Sequence, residues 1–168
     1  GYAHRSVGEL CPEMLQCGLS WRHSLARHGM FHAALQNVEL AKVVRFTQRD
    51  ITRLVKDEGN GRDRGEIEAV INNAPRAQDL VKQEGSLAAF LWRYEPDSKQ
   101  LAKPQTVSTS AESIALSKEL KKRGWKFVGP TTAYAFMQAM GLINDHVEDC
   151  VMWAKVERAR KKFKRPGR

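Results

Sequence analysis

No apolar run in this chain approaches the roughly 18–20 residues that a helix needs to cross a bilayer, and no secretory leader is visible. A cytoplasmic, membrane-free protein is therefore the expectation. Cysteine is scarce: Cys11, Cys17 and Cys150 form no paired framework, which fits a reducing compartment. Cys-x-x-Cys, His-Glu-x-x-His and glycine-rich phosphate loops are all missing, and each absence removes the chemistry that motif would carry. The five histidines are scattered and no serine sits on an elbow motif, so no catalytic triad can be read. Strand-like alternation is missing as well. That leaves an all-α fold.

What is present is a chain of 168 residues, enough for one domain with a sound core. Its charge of +9 is uneven. From Lys155 onward eight lysines and arginines stand against Glu157 alone, which concentrates +7 in the last fourteen residues. We divide the chain into a helical domain, 1–154, and a basic tail, 155–168. Such a tail is a sequence-independent handle for polyanions, or else a solvated terminus.

The chain is organised around the run from Gly124-Trp125-Lys126-Phe127-Val128-Gly129-Pro130 to Gly141-Leu142-Ile143-Asn144-Asp145-His146. Almost every side chain from Trp125 to Met140 is apolar or small, so a buried centre is expected, with Lys126, Thr131, Thr132 and Gln138 as polar insertions that need reasons. Upstream, residues 7–16 read as a short helix broken by Pro12, and Ser20 as the N-cap of another. Short helices follow at 30–35 and 38–46. A stronger one opens at Thr47 or Asp50, with Ile51, Leu54 and Val55 on one face. It halts at Gly59-Asn60-Gly61, and a second helix runs from Arg62 until Asn73 to Pro75. Ala77 to Gln83 continues as helix, Ser86 caps Leu87 to Trp92, and 96–107 reads as loop. Ser108-Thr109-Ser110 caps Ala111 to Arg123, and Val151 to Phe163 forms the last helix.

Three constellations could carry chemistry. His146 and Cys150, at i and i+4, share a helical face and could supply half of a tetrahedral zinc site; a capping histidine beside a half-buried thiol fits the spacing too. Helix, glycine-bearing hairpin and helix across 47–73 outlines a helix-hairpin-helix element, whose amide groups can hold a DNA phosphate with help from Lys56, Arg62 and Arg64. Any αα-corner shares that outline. Glu13, eight residues before Trp21, could hydrogen-bond a base that stacks on the indole; a surface carboxylate paired with Arg22 or His23 is the plainer alternative.

The segments Gln16-Cys17-Gly18-Leu19-Ser20-Trp21, Arg64 to Asn73, and Leu116 through Asp145-His146 resemble the 3-methyladenine DNA glycosylase type I family, a branch of the helix-hairpin-helix glycosylases. The resemblance covers about residues 6–155. It implies base excision of 3-methyladenine from alkylated double-stranded DNA by a monomer. Under it Glu13 recognises the methylated base, Trp21, Gln16 and Tyr134 form the pocket, and Leu19 plugs the gap left by the flipped nucleotide. Gly59, Gly61, Arg62 and Arg64 grip the backbone. His146 and Cys150 fall on two of four ligands to a structural zinc. In the family the other two ligands and a pocket tyrosine come from a further N-terminal segment, placed before Gly1 in this register, so zinc is expected to be weak or absent. The hairpin also reads Gly59-Asn60-Gly61-Arg62 where the family has two aliphatics between glycine and arginine. The alternative reading is a non-catalytic DNA-binding relative.

Overall fold

The computed structural model describes residues 40–57, 64–97, 107–147 and 149–166, and these form seven helices with no strand among them. In chain order they are α1 (Leu40–Val43), α2 (Gln48–Lys56), α3 (Arg64–Glu84), α4 (Leu87–Trp92), α5 (Ala111–Lys122), α6 (Pro130–Ala139) and α7 (Val151–Lys162). The all-α expectation holds.

Local chemistry sets most helix ends. Thr47 is extended, and the Asp50 carboxylate accepts from its backbone N–H at 2.8 Å and its hydroxyl at 2.9 Å, which fixes the start of α2. Ser86 accepts from the Ala89 N–H to open α4. Ser110 accepts from the Ser113 N–H while Ser113 Oγ accepts from the Ser110 N–H, a reciprocal cap at the start of α5. Two glycines in the left-handed region, Gly124 (φ +80°) and Gly141 (φ +76°), close α5 and α6. After each, a backbone N–H reaches back five residues: Trp125 to Leu120 at 3.0 Å and Leu142 to Met137 at 2.9 Å.

The helix expected to end between Asn73 and Pro75 does not end there. It continues as the single helix α3, with Pro75 inside. Proline removes one backbone donor and crowds the preceding turn. Here that turn is held by side chains: within α3 Arg76 donates to the Asn72 carbonyl at 2.6 Å, and Asn72 and Asn73 bond outward to the segment after α5. The two asparagine contacts are tertiary bonds that steady the helix around its proline.

The core lies where α5 packs along α6 and where α3 packs on α1, α2 and α4. Its fully buried side chains include Leu54, Ile67, Leu80, Phe90, Leu116, Leu120, Phe136 and Met137. The expected buried centre is there in Trp125, Val128, Ala133, Tyr134, Phe136 and Met137, with one correction. Lys126 and Phe127 face solvent, Phe127 with 43% of its surface exposed and a left-handed backbone (φ 56°). The chain turns outward there between the glycine stop of α5 and Val128.

The boundary drawn after residue 154 falls inside α7, which runs on unbroken to Lys162. Among the described residues no helix is long and apolar enough to cross a membrane.

Candidate nucleic-acid interface

The helix pair α2 and α3 packs through Leu54, Ile67 and Val70, all buried, and brackets the expected hairpin. Gly59, Gly61 and Arg62 lie outside the described residues. Arg64 opens α3 at the surface, and its Nε donates to Glu68 Oε1 at 2.7 Å, an i,i+4 bond that lays the guanidinium along the helix. On the outer side of α2, Gln48, Arg49, Thr52, Arg53 and Lys56 line a shallow, open depression of about 420 Å³. Spacings of three and four residues bring its three cations onto one helical face. Thr47 holds the Asp50 carboxyl below its ordinary value through backbone and hydroxyl bonds, with Arg53 adding its charge.

Across the domain, the loop Gly124–Gly129 is clasped by α3. Asn73 Oδ1 accepts from the Lys126 N–H and Asn73 Nδ2 donates to the Lys126 carbonyl, both at 2.9 Å. Asn72 Nδ2 donates to the Gly124 carbonyl at 3.0 Å, and Ser117 donates to the Val128 carbonyl at 2.6 Å. Four side-chain bonds to one short loop hold the left-handed Phe127 in place. Gly124 is required by its φ of +80°, and a side chain there would also have to push aside the Arg76 guanidinium, 2.7 Å away. These asparagines escaped the sequence reading. Their one local signal is an Asn-Asn pair inside a helical run, with only Ala74 between it and Pro75.

Two polar insertions of α6 now have reasons, and the third, Thr131, is exposed. Gln138 Nε2 donates to Asp145 Oδ2 at 2.6 Å, and Thr132 is buried. Tyr134 is buried on the same helix; burial pushes its hydroxyl pKa up, and the Asp145 charge adds to this.

His146 and Cys150 are brought together, though not on a helix. They bracket a turn closed by the Cys150 N–H on the Val147 carbonyl, and Cys150 is the N-cap of α7. The expected shared helical face is therefore corrected to a shared turn. Nearby, Asn144 Nδ2 donates to the Trp153 carbonyl at 3.1 Å and to Glu157 at 2.8 Å, tying the residues before the turn to α7. Cys150 Sγ lies 3.9 Å from His146 Nδ1. Two ligands of one tetrahedral zinc stand about 3.5 Å apart, given typical Zn–S and Zn–N lengths. The pair fits half a site. No group of three or more histidine, cysteine, aspartate or glutamate residues placed for a metal occurs among the described residues. Glu13, Gln16, Leu19 and Trp21 lie outside those residues.

Comparison with known proteins gives a consistent family. The methyladenine glycosylase family model matches residues 5–153. DNA-3-methyladenine glycosylase 1 of Escherichia coli (strain K12) is 42% identical over 146 residues, 84% of this chain and 78% of the relative. A crystal structure of a 3-methyladenine DNA glycosylase I superposes with a TM-score of 0.83 at 33% identity, covering 89% of this chain and 84% of that one. A tyrosine-to-phenylalanine variant of a 3-methyladenine DNA glycosylase I, in complex with 3-methyladenine, superposes at 0.81 with 30% identity, over 89% and 82% of the two chains.

Proposed function

The chain belongs to the methyladenine glycosylase family, and from that premise we propose that it is a DNA glycosylase that excises 3-methyladenine. The observation that carries the reading is identity of 42% sustained over 146 residues with a curated enzyme of that activity. Methylation at N3 leaves the adenine cationic, so the base already departs readily. Water adds to the sugar carbon, the N-glycosidic bond breaks, its electron pair goes to the base, and the water's proton passes to solvent. The protein's work is to flip, stack and hydrogen-bond the base rather than to protonate it strongly. That accounts for a chain without a readable catalytic dyad.

The substrate we propose is alkylated double-stranded DNA, handled by a monomer in the cytoplasm. Glu13 would oppose the base's positive charge and accept from it, Trp21 would stack on it, Gln16 and Tyr134 would complete the pocket, and Leu19 would fill the vacated stack. Gly59, Gly61, Arg62 and Arg64, at the junction of α2 and α3, would take the flanking phosphates. The burial of Tyr134 in α6 supports a packing part for its ring. His146 and Cys150 would supply two ligands of a structural zinc, whose role is to tie chain segments together.

The test is free-base release from methylated duplex in single-turnover conditions. Glu13→Gln keeps the size and removes the charge, so it should slow release while undamaged-duplex affinity holds. Trp21→Ala should cost about 1–3 kcal/mol in recognition of the flipped base. Glu13→Gln releasing base as fast as the parent would remove Glu13 from the pocket, and a parent that releases none would remove the activity.

A further inference from the structure

Residues 154–168 lie beyond the family-matched residues 5–153, yet much of this extension is built into the body. Arg160 is buried; its guanidinium donates to the Gly141 carbonyl and, at 3.2 Å, to Glu95. Arg165 donates to Glu95 from Nε at 3.0 Å and from Nη2 at 2.7 Å, and its guanidinium lies 5.6 Å from the centre of the Trp92 ring. Phe163 packs against the same ring at 4.8 Å. One carboxylate, three residues past α4, thus fixes two arginines of the extension, and the Trp92–Phe163 pair packs beside them.

The opposite side of α7 is different. Lys155, Arg158 and Lys162, at i, i+3 and i+7, form one exposed stripe, with Lys161 beside it and Lys164 just past the helix end. The segment's acid, Glu157, points inward to Asn144 and Arg160. Like charges three and four residues apart destabilise a helix, and the dipole at its C-terminus offsets only part of this. The Glu95 clamp holds the helix against that repulsion. Lys155 to Lys162 spans about 10 Å of helix, the axial rise of about three phosphates along one DNA strand.

We propose that this ridge is a fixed binding surface for the DNA backbone, separate from the helix-hairpin-helix grip and adding affinity without sequence preference. The proposal rests on the reading of the chain as a DNA enzyme. Duplex DNA is favoured over an anionic membrane because a membrane-surface helix needs an apolar face beside its cations. On α7 Trp153 is half-buried against the body and Arg160 lies buried on the same side, while Val151 and Met152 are exposed only at its first turn.

The experiment compares the full chain with a variant carrying Lys155→Ala, Arg158→Ala, Lys161→Ala and Lys162→Ala, none of which touches the clamp. Binding of undamaged duplex is followed across a salt series. The slope of log K against log salt should become shallower by about 2–3, at roughly 0.9 per lost phosphate contact. Single-turnover release of 3-methyladenine at saturating protein should be unchanged. An unchanged slope overturns the proposal, as does a variant that keeps the parent's slope but loses binding to phosphatidylserine vesicles. If the fourfold variant fails to fold, Lys155→Ala with Lys162→Ala should still flatten the slope by about 1–2. A parent that binds duplex steeply but releases no base removes the proposed activity and leaves the ridge; a parent that releases base while the variant keeps its slope removes the ridge alone.

Discussion

Asn73 shows how much one side chain decides in this domain. It is 5% exposed, it sits two residues before Pro75, and both ends of its amide are spent on the backbone of Lys126. An asparagine amide carries its donor and its acceptor on separate atoms, so it can meet a carbonyl and an N–H of one residue at once. Asn73→Ala leaves both backbone groups of Lys126 without these partners and should cost about 2 kcal/mol in chemical denaturation. Asn73→Asp keeps the acceptor but turns a carboxylate toward a carbonyl, so it should not rescue. If Asn73→Ala denatures at the parent's midpoint, the clasp contributes nothing and the tolerance of α3 for Pro75 needs another cause. Phe127 belongs to the same cluster. A left-handed phenylalanine is costly by itself, and it persists here because Asn72, Asn73 and Ser117 fix the residues on either side of it.

At the scale of elements, two carboxylates join helix ends and make those joints sensitive to acid. Asp50 closes the first turn of α2 on Thr47. Glu84, at the end of α3, receives Arg93 at 2.7 Å from just past α4 and Arg123 at 2.9 Å from the end of α5. Arg123 also pairs with Glu119 and lies 5.0 Å over the Phe90 ring, so three helix ends meet at one guanidinium. The bonds from Thr47 lower the pKa of Asp50, and those from Arg93 and Arg123 lower that of Glu84. A folded-state value below the unfolded one means stability that is present above the unfolded carboxylate range, about pH 4, and lost as pH falls through the folded values. The melting temperature should therefore hold near neutrality and drop below about pH 4.5. Asp50→Asn and Glu84→Gln should lower it at pH 7, and the gap to the parent should narrow as pH falls through the folded values. Variants that stay equally far below the parent across an acid titration would show that these carboxylates act through packing and not charge.

For the whole molecule, the proposed zinc is the feature with the widest reach, since its ligands would come from chain segments far apart in sequence. His146 and Cys150 form a half-site of suitable separation on the turn before α7. A structural zinc draws its binding free energy from closing all four ligands, so removing one should release it. Cys150→Ser should therefore lower both the zinc content of the purified protein and its melting temperature. A variant that keeps the parent's zinc content and melting temperature would remove Cys150 from the site.

Much of this was legible in the residues alone. The caps at Ser86 and within Ser108-Thr109-Ser110, where Ser110 takes the part, the stops at Gly124 and Gly141, and the apolar run of α6 are local signals that act within four or five residues. The long motif from Leu116 to His146 was specific enough to name the family before any fold was known. What the sequence could not decide was every outcome that depends on a distant partner. Pro75 was read as a stop because the bonds that steady its helix come from a loop some fifty residues away. The basic end was read as tail or handle because Glu95, which turns Arg160 and Arg165 inward and leaves the other cations outside, lies 65 to 70 residues upstream. Charge and spacing are properties of a segment, but which cations are spent within the fold and which are left for a ligand is settled only when the chain closes on itself.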